Sequence, residues 1–261
     1  MKEKVQRLIE EVRFDVKVVV SEANSNEFLI GIGIDDVFQS ASLIKVPIML
    51  AVLDYVEDNN VSLNQVIAIK EENVVDFSMI TEQGLKNSTI YDLLVGMIIT
   101  SDNTATNVLI DFIGMDNLNQ YFKKIGLTQT ILNRKMMDFE QVKKGIDNVT
   151  TARDMSVLFR HIYRQDLLTP KNCELALNIL KRQRIYESLK RYLVDDVTIA
   201  HKTGSLDTVE HDVGIVFSPL KDYMIGIFVT NHCDNEEAKR LIGRISKVVY
   251  QHFVKKDEDS R

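Results

Sequence analysis

Segments rich in β-branched residues stand near both ends of this chain, and the stretch between them is patterned for helices. Residues 14–22 (FDVKVVVSE) and 27–34 (EFLIGIGI) read as two strands, joined as a hairpin across Asn24-Ser25-Asn26. Residues 197–202, 213–217 and 223–230 read as three more short strands separated by turns. Between the two groups, apolar residues recur at three- and four-residue spacing over about 43–56, 90–100, 105–112, 117–125, 152–163 and 172–181. Thr151-Ala152-Arg153-Asp154 opens one of these helices as a capping box with Asp in place of Glu. Helices over 1–12 and about 236–253 complete the pattern. A sheet that takes strands from both ends brings the ends together and makes the helical middle an insertion packed against it. The expected class is α+β. Residues 1–34 and 193–261 are expected to form an α/β part and 35–192 a helical part, one compact unit with a cleft between them.

Composition narrows the function by exclusion. The 261 residues suffice for a sizeable core, and the three prolines and eleven glycines mark no linker or repeat. A formal net charge of -6 offers no footprint for nucleic acid. No run approaches the ~20 apolar residues of a membrane span. The start, Lys2-Glu3-Lys4-Val5-Gln6-Arg7, is charged throughout and is not the apolar core of a secretion signal. The expectation is a cytoplasmic monomer as written, secreted only if a leader has been removed. Cys173 and Cys233 are expected to be free thiols. The five histidines show no metal-ligand spacing, and His232-Cys233 is a weak pair, so neither metal nor cofactor is expected.

Three short motifs carry chemistry. In Ser40-Ala41-Ser42-Leu43-Ile44-Lys45, Ser42 and Lys45 lie one turn apart at the start of an apolar helix. A serine there feels the positive end of the helix and keeps its own N–H free to hold an oxyanion. A lysine beside it accepts the hydroxyl proton if burial and nearby cations depress its pKa. Ser218-Pro219-Leu220-Lys221 repeats the spacing in a turn, so the spacing alone says little. Ser101-Asp102-Asn103 lies between two helices and reads first as a cap; functionally, Ser101 relays a proton and Asn103 holds a substrate amide or carbonyl. Lys202-Thr203-Gly204-Ser205 closes a predicted strand. Lys202 offers a cation to a substrate carboxylate, Thr203 and Ser205 offer hydroxyls, and Gly204 lets substrate lie close to the strand edge. The backbone N–H groups of Ser205 and Ser42 would complete an oxyanion hole.

Ser-x-x-Lys, Ser-Asp-Asn and Lys-Thr-Gly, in this order and in these contexts, are the signature of class A β-lactamases and penicillin-binding proteins. The chain resembles class A β-lactamases over essentially its whole length. The resemblance implies the β-lactamase/transpeptidase-like fold, with the active site between an α/β and an all-helical subdomain. It makes Ser42 the nucleophile, Lys45 its base, and Ser101 with Lys202 a pair for proton relay and carboxylate binding. Asn107 matches a residue that supports a nearby loop, and Phe77 resembles the aromatic that guards the site entrance. The implied activity is that of a serine hydrolase forming an acyl-enzyme with a β-lactam or another amide or ester. The implied partner is a small carboxylate-bearing molecule, and the chemistry needs no cofactor.

The pattern breaks at one place that matters. The family activates its deacylating water with a Glu in Arg-x-Glu-x-x-Leu-Asn. Here the stretch reads Asn133-Arg134-Lys135-Met136-Met137-Asp138-Phe139-Glu140, with Met136 at the Glu position and Glu140 at the Asn position. A thioether takes no proton. Asp138 and Glu140 are the candidate substitutes, set against their plain reading as acids opening a short helix. Slow deacylation follows, with a penicillin-binding sensing protein as the alternative function. The Asp that pairs with the family's Arg falls near Asp147 or Asn148. Where many members keep an Arg after Lys-Thr-Gly, this chain has Glu210-His211-Asp212. His211 is either a substitute cation or a strand-edge polar residue.

Overall fold

The computed structural model describes residues 1–194 and 196–254. Position 195 and positions 255–261, which the expected α/β part includes, lie outside the described residues. Five strands form one antiparallel sheet: β1 (Asp15–Glu22), β2 (Ile30–Ile32), β3 (Thr198–Leu206), β4 (Val209–Phe217) and β5 (Tyr223–Thr230), in the spatial order β2-β1-β5-β4-β3. The seam between the two ends of the chain runs through the middle of the sheet, where Asp15 pairs with Thr230 and Glu22 with Tyr223.

Side chains alternate across this sheet with period two. Val16, Val18 and Val20 of β1, with Ile225, Ile227 and Val229 of β5, form one apolar cluster with the helices α1 (Lys2–Glu10) and α9 (Asn235–Val254). Val19, Met224 and Phe228 point the other way, into a larger cluster with α2 (Lys45–Asp58), α3 (Ile90–Ile99), α4 (Asn103–Ile113), α5 (Met115–Lys124), α7 (Ala152–Arg164), α8 (Pro170–Lys181) and the single helical turn Met79–Glu82. The short helix α6 (Phe139–Lys143) buries no residue. Every residue of α2 from Lys45 to Leu53 is buried, which its nearly unbroken apolar sequence requires. Both faces of the sheet are thus covered by helices. Among the described residues no helix is long and apolar enough to cross a membrane.

Three details depart from expectation. The predicted second strand shrinks to Ile30–Ile32, ended by Gly33 at φ +56°. The strand holding Lys202 does not stop there. It continues to Leu206 and turns through Asp207-Thr208 into β4, so Lys-Thr-Gly lies inside an edge strand. Its polar residues interrupt the apolar pattern from which the strand was read, but an edge strand tolerates them. Thr151 caps α7 by accepting the Asp154 N–H, while Asp154 does not reach back as a capping box requires. Its carboxylate instead accepts from Gln129 N and Thr130 Oγ1.

Candidate active site

Ser42 lies in a tight 3₁₀ turn, Ala41–Ile44, that runs directly into α2. The helix expected to begin at Ser42 begins at Lys45, so Pro47 occupies its first turn, where its missing N–H costs no hydrogen bond. The middle of β3 packs against this turn. A Cβ at Gly204 would stand 3.1 Å from Ala41 Cβ and 3.2 Å from both Ser40 O and Ser42 N. This changes the expected role of Gly204: the space beside it is filled by the turn that holds Ser42. Any larger residue would push β3 away from Ser42.

Lys45 and Lys202 are both fully buried. Lys45 Nζ donates to Ser101 O at 2.6 Å, Asn103 Oδ1 at 2.8 Å and Ser101 Oγ at 3.1 Å. Lys202 Nζ donates to Ser101 Oγ at 3.0 Å and Thr203 O at 2.8 Å. The Ser101 hydroxyl therefore sits between two amines. Burial, and then the charge of Lys202, hold Lys45 well below the ordinary lysine range, against the pull of Asp102. Burial brings Lys202 down to about 7, opposed by the Asp212 carboxylate.

The backbone is held in uncommon conformations around this cluster. Ala41, Phe77, Ser101 and Met137, none of them glycine, have φ of 44°, 54°, 58° and 62°. Such geometry persists only where surrounding contacts enforce it, and it concentrates at functional sites. For Ser101 the enforcing contacts are clear. Asp102 caps α4 through Ala105 N and also accepts from Ser78 Oγ and Ile80 N. Asn103 N donates to Phe77 O, and the Phe77 side chain, 78% exposed, stands at the rim.

A matching family model covers residues 1–253 and is described as the β-lactamase enzyme family. The chain belongs to the β-lactamase enzyme family. It is 30% identical to the β-lactamase AER-1 of Aeromonas hydrophila over 207 residues, 76% of this chain and 68% of that protein. Among solved structures it is similar to PBP-A at 28% identity and a TM-score of 0.88, covering 96% of this chain and 94% of that one. It is equally similar, by the same three measures and over 95% of that chain, to a PBP-A variant described as an acyl-enzyme complex with penicillin G.

The loop on which this β-lactamase family member departs from the motif is firmly held. Arg134 Nε and Nη2 donate to Asp147 Oδ1 at 2.9 and 2.7 Å, so Asp147 is the partner of Arg134. Asn148 takes a different job: its Oδ1 accepts from Asn133 N and Arg134 N, and its backbone O accepts from Ser40 N, two residues before Ser42. Asn107 Oδ1 accepts from Met136 N at 2.8 Å, and Asn107 Nδ2 donates to Met136 O at 3.2 Å. Met136 is itself buried in the larger apolar cluster. The Arg134–Asp147 pair is largely buried, at 9% and 11% side-chain exposure. Asp147→Ala strands the arginine and is expected to cost about 3 kcal/mol. The measure is the urea midpoint at constant m; a loss below about 1 kcal/mol would show that other contacts hold the loop.

Asp138, Glu140 and His211 all have ordinary structural partners. Asp138 is the cap of α6 and accepts from Gln141 N; Glu140 is exposed and pairs with Lys143 at 2.7 Å. Both do the ordinary work of acids at a helix start. His211 is fully buried, and burial lowers its pKa to about 4 against two backbone carbonyls. Both ring nitrogens face backbone carbonyls, Glu210 O and Gln39 O, at 2.9 Å, so neither is turned to a substrate.

The expected use of Ser205 also changes, because of Glu210, named from the sequence without a role, and Asn235, which sequence reasoning passed over. Ser205 Oγ donates to Glu210 Oε2 at 2.8 Å and accepts from Asn235 Nδ2 at 3.0 Å. The hydroxyl is already engaged. The signal for Glu210 was cross-strand pairing, Ser205 opposite Glu210, which becomes readable only once the hairpin register is known.

Proposed function

We propose that this chain is a β-lactamase-like serine hydrolase that takes up β-lactams as an ester on Ser42 and releases the product slowly. The observation that carries the reading is the Ser101 hydroxyl held between two buried amines of depressed pKa. A charged Lys45 spends all three of its protons on Ser101 and Asn103. A neutral Lys45 has a lone pair for the Ser42 proton. The Ser42 oxygen then attacks the lactam carbonyl, and the oxyanion is met by the backbone N–H groups of Ser42 and Ser205. As the C–N bond breaks, nitrogen takes the Ser101 proton, since both Ser101 lone pairs already face the lysines. Lys45 restores that proton, so the net movement is from Ser42 to the leaving nitrogen.

Hydrolysis of the ester needs a base for water. Met136 stands at the family's base position with a side chain that takes no proton, and Asp138 and Glu140 are committed elsewhere. Accumulation of the acyl-enzyme follows. The test is intact-mass spectrometry after mixing with penicillin G. The expected result is one equivalent of adduct, persisting for minutes or longer, and none with Ser42→Ala. An adduct on Ser42→Ala would overturn the assignment of the nucleophile. Steady product release without an adduct would leave the hydrolase and refute slow deacylation. The similarity to PBP-A favours one second reading, a penicillin-binding protein that does not turn over. It predicts an adduct stable for hours.

A further inference from the structure

Three polar side chains close a ring between the Met136 loop and the segment that carries Phe77. Lys135 Nζ stands 2.6 Å from Asp111 Oδ1 and donates to Asn73 Oδ1 at 2.8 Å. Asn73 Nδ2 donates to Asp111 Oδ2 at 2.8 Å. The asparagine turns its oxygen to the ammonium and its nitrogen to the carboxylate, the orientation that satisfies both partners. Asn73 is buried, and the side chains of Lys135 and Asp111 are 30% and 28% exposed. Burial pushes the Asp111 carboxyl up, but hydrogen bonds from Lys135 and Asn73, with the charges of Lys135 and Lys70, bring it below its ordinary value.

The helix α4 explains what the ring joins. Asn103, Asn107 and Asp111 follow one another at four-residue spacing, on one face of α4. Asn103 holds Lys45 and the backbone of Asp76. Asn107 holds the backbone of Met136. Asp111 holds both loops at once, through Lys135 and Asn73. The Arg134–Asp147 pair closes the Met136 loop on itself, and Asn148 ties that loop to Ser40. Neither contact reaches the Phe77 segment, whereas Lys135 does. Asn73 ends the 3₁₀ turn Glu71–Asn73, shortly before Phe77, whose φ of 54° persists only under contacts that enforce it. Lys45 and Lys202 have their own partners at Ser101, so the ring has no part in moving the proton.

We propose that Lys135 is a positioning residue for substrate binding: by joining Asp111 to Asn73 it fixes the separation between the Met136 loop and the Phe77 segment before acylation begins. This rests on the acylation of Ser42 proposed above. Without Lys135 the two loops part and the substrate is held less well, while the groups that carry out the attack keep their bonds.

The experiment follows acylation by penicillin G over a range of concentrations, read by mass on the intact protein. It separates the half-saturating concentration from the limiting rate constant. Lys135→Met is expected to raise the half-saturating concentration about tenfold and to leave the limiting rate constant within about twofold. Asp111→Asn is expected to do the same, and the double variant no more than either alone, because both changes open one ring. An unchanged half-saturating concentration makes the ring a brace of the fold alone and overturns the inference. A loss confined to the limiting rate constant, or a double variant that multiplies the two effects, overturns it too. If Lys135→Met does not fold, Asp111→Asn decides in its place. Hydrogen exchange gives a reading that needs no acyl-enzyme. Amides of residues 73–79 and 134–137 are expected to exchange at least about threefold faster, together, in Lys135→Met. Loosening of one loop alone would show that the ring does not couple them. A wild type that forms no adduct defeats the proposed function, and the exchange result then decides the coupling by itself.

Discussion

Met136→Glu is expected to turn a lasting acyl-enzyme into one that hydrolyses, raising the deacylation rate constant about a hundredfold or more. A positioned general base contributes on the order of 10²–10⁴, and the protein already holds the backbone that would carry it. Asn107 grips the N–H and the C=O of Met136, Arg134 is tied to Asp147, and Asn148 links the loop to Ser40. Glutamate is close to methionine in length, so the substitution changes chemistry more than shape. Burying a carboxylate lowers stability by about 1–3 kcal/mol, which thermal unfolding would show. The deciding measurement is the lifetime of the penicillin G adduct. A lifetime unchanged within twofold would mean that position 136 does not overlook the ester carbonyl.

Lys202→Met is expected to slow acylation at least a hundredfold and to stabilise the fold. Bringing a lysine from 10.5 to about 7 corresponds to about 5 kcal/mol against the buried charged form. Removing donors from Ser101 Oγ and Thr203 O offsets part of this, leaving a gain of about 2 kcal/mol at neutral pH. The sign can be checked by titration. Because the folded-state pKa lies below the unfolded one, the unfolded chain binds more protons between pH 7 and 10.5. Wild-type stability therefore rises with pH across that window. The advantage of the variant should be greatest below pH 7 and fade towards pH 10.5. Loss of Lys202 also removes one cause of the depressed Lys45 pKa. The acid limb of any remaining acylation, set by loss of the Lys45 proton, should then shift to higher pH. A variant no more stable than wild type at pH 6 would show that Lys202 is not held against its charge.

The juxtaposition of Lys45, Ser101 and Lys202 was legible because its members announce themselves in short local patterns, each fixed by one turn of chain. Ser42 and Lys45 straddle a helix start, and Asp102 caps α4 as any Asp in that place would. What stayed hidden depends on where short elements begin and on the register in which they pair. Asp138 could not be assigned to Gln141 N until α6 was known to begin at Phe139. The choice between Asp147 and Asn148 turned on which of two adjacent side chains faces Arg134. Glu210 became significant only with a two-residue hairpin that sets it opposite Ser205. The pairing of Phe38-Gln39 with Val149-Thr150 is two residues long and too short to leave a periodic signal. The sheet itself was readable from β-branched runs, but its strand lengths were not, since polar edge residues interrupt the pattern used to find them.

The seam between β1 and β5 has a consequence for how the molecule is made. Asp15 meets Thr230 only after more than 200 intervening residues have left the ribosome. Until then β1 has only the three-residue β2 beside it, and Val16, Val18 and Val20 lack the β5 residues and α9 that bury them. Such distant pairing is slow, because a long loop must close before any contact rewards it. The helices from α2 to α8 form a continuous segment and can collapse while the chain is still emerging. β1 must wait through that period as an adhesive strand. The strand β5 and the helix α9, the last of the described elements to emerge, are then those that lock it. Truncation within α9 should leave a soluble-looking helical core with an open, aggregation-prone sheet, rather than a slightly shortened enzyme.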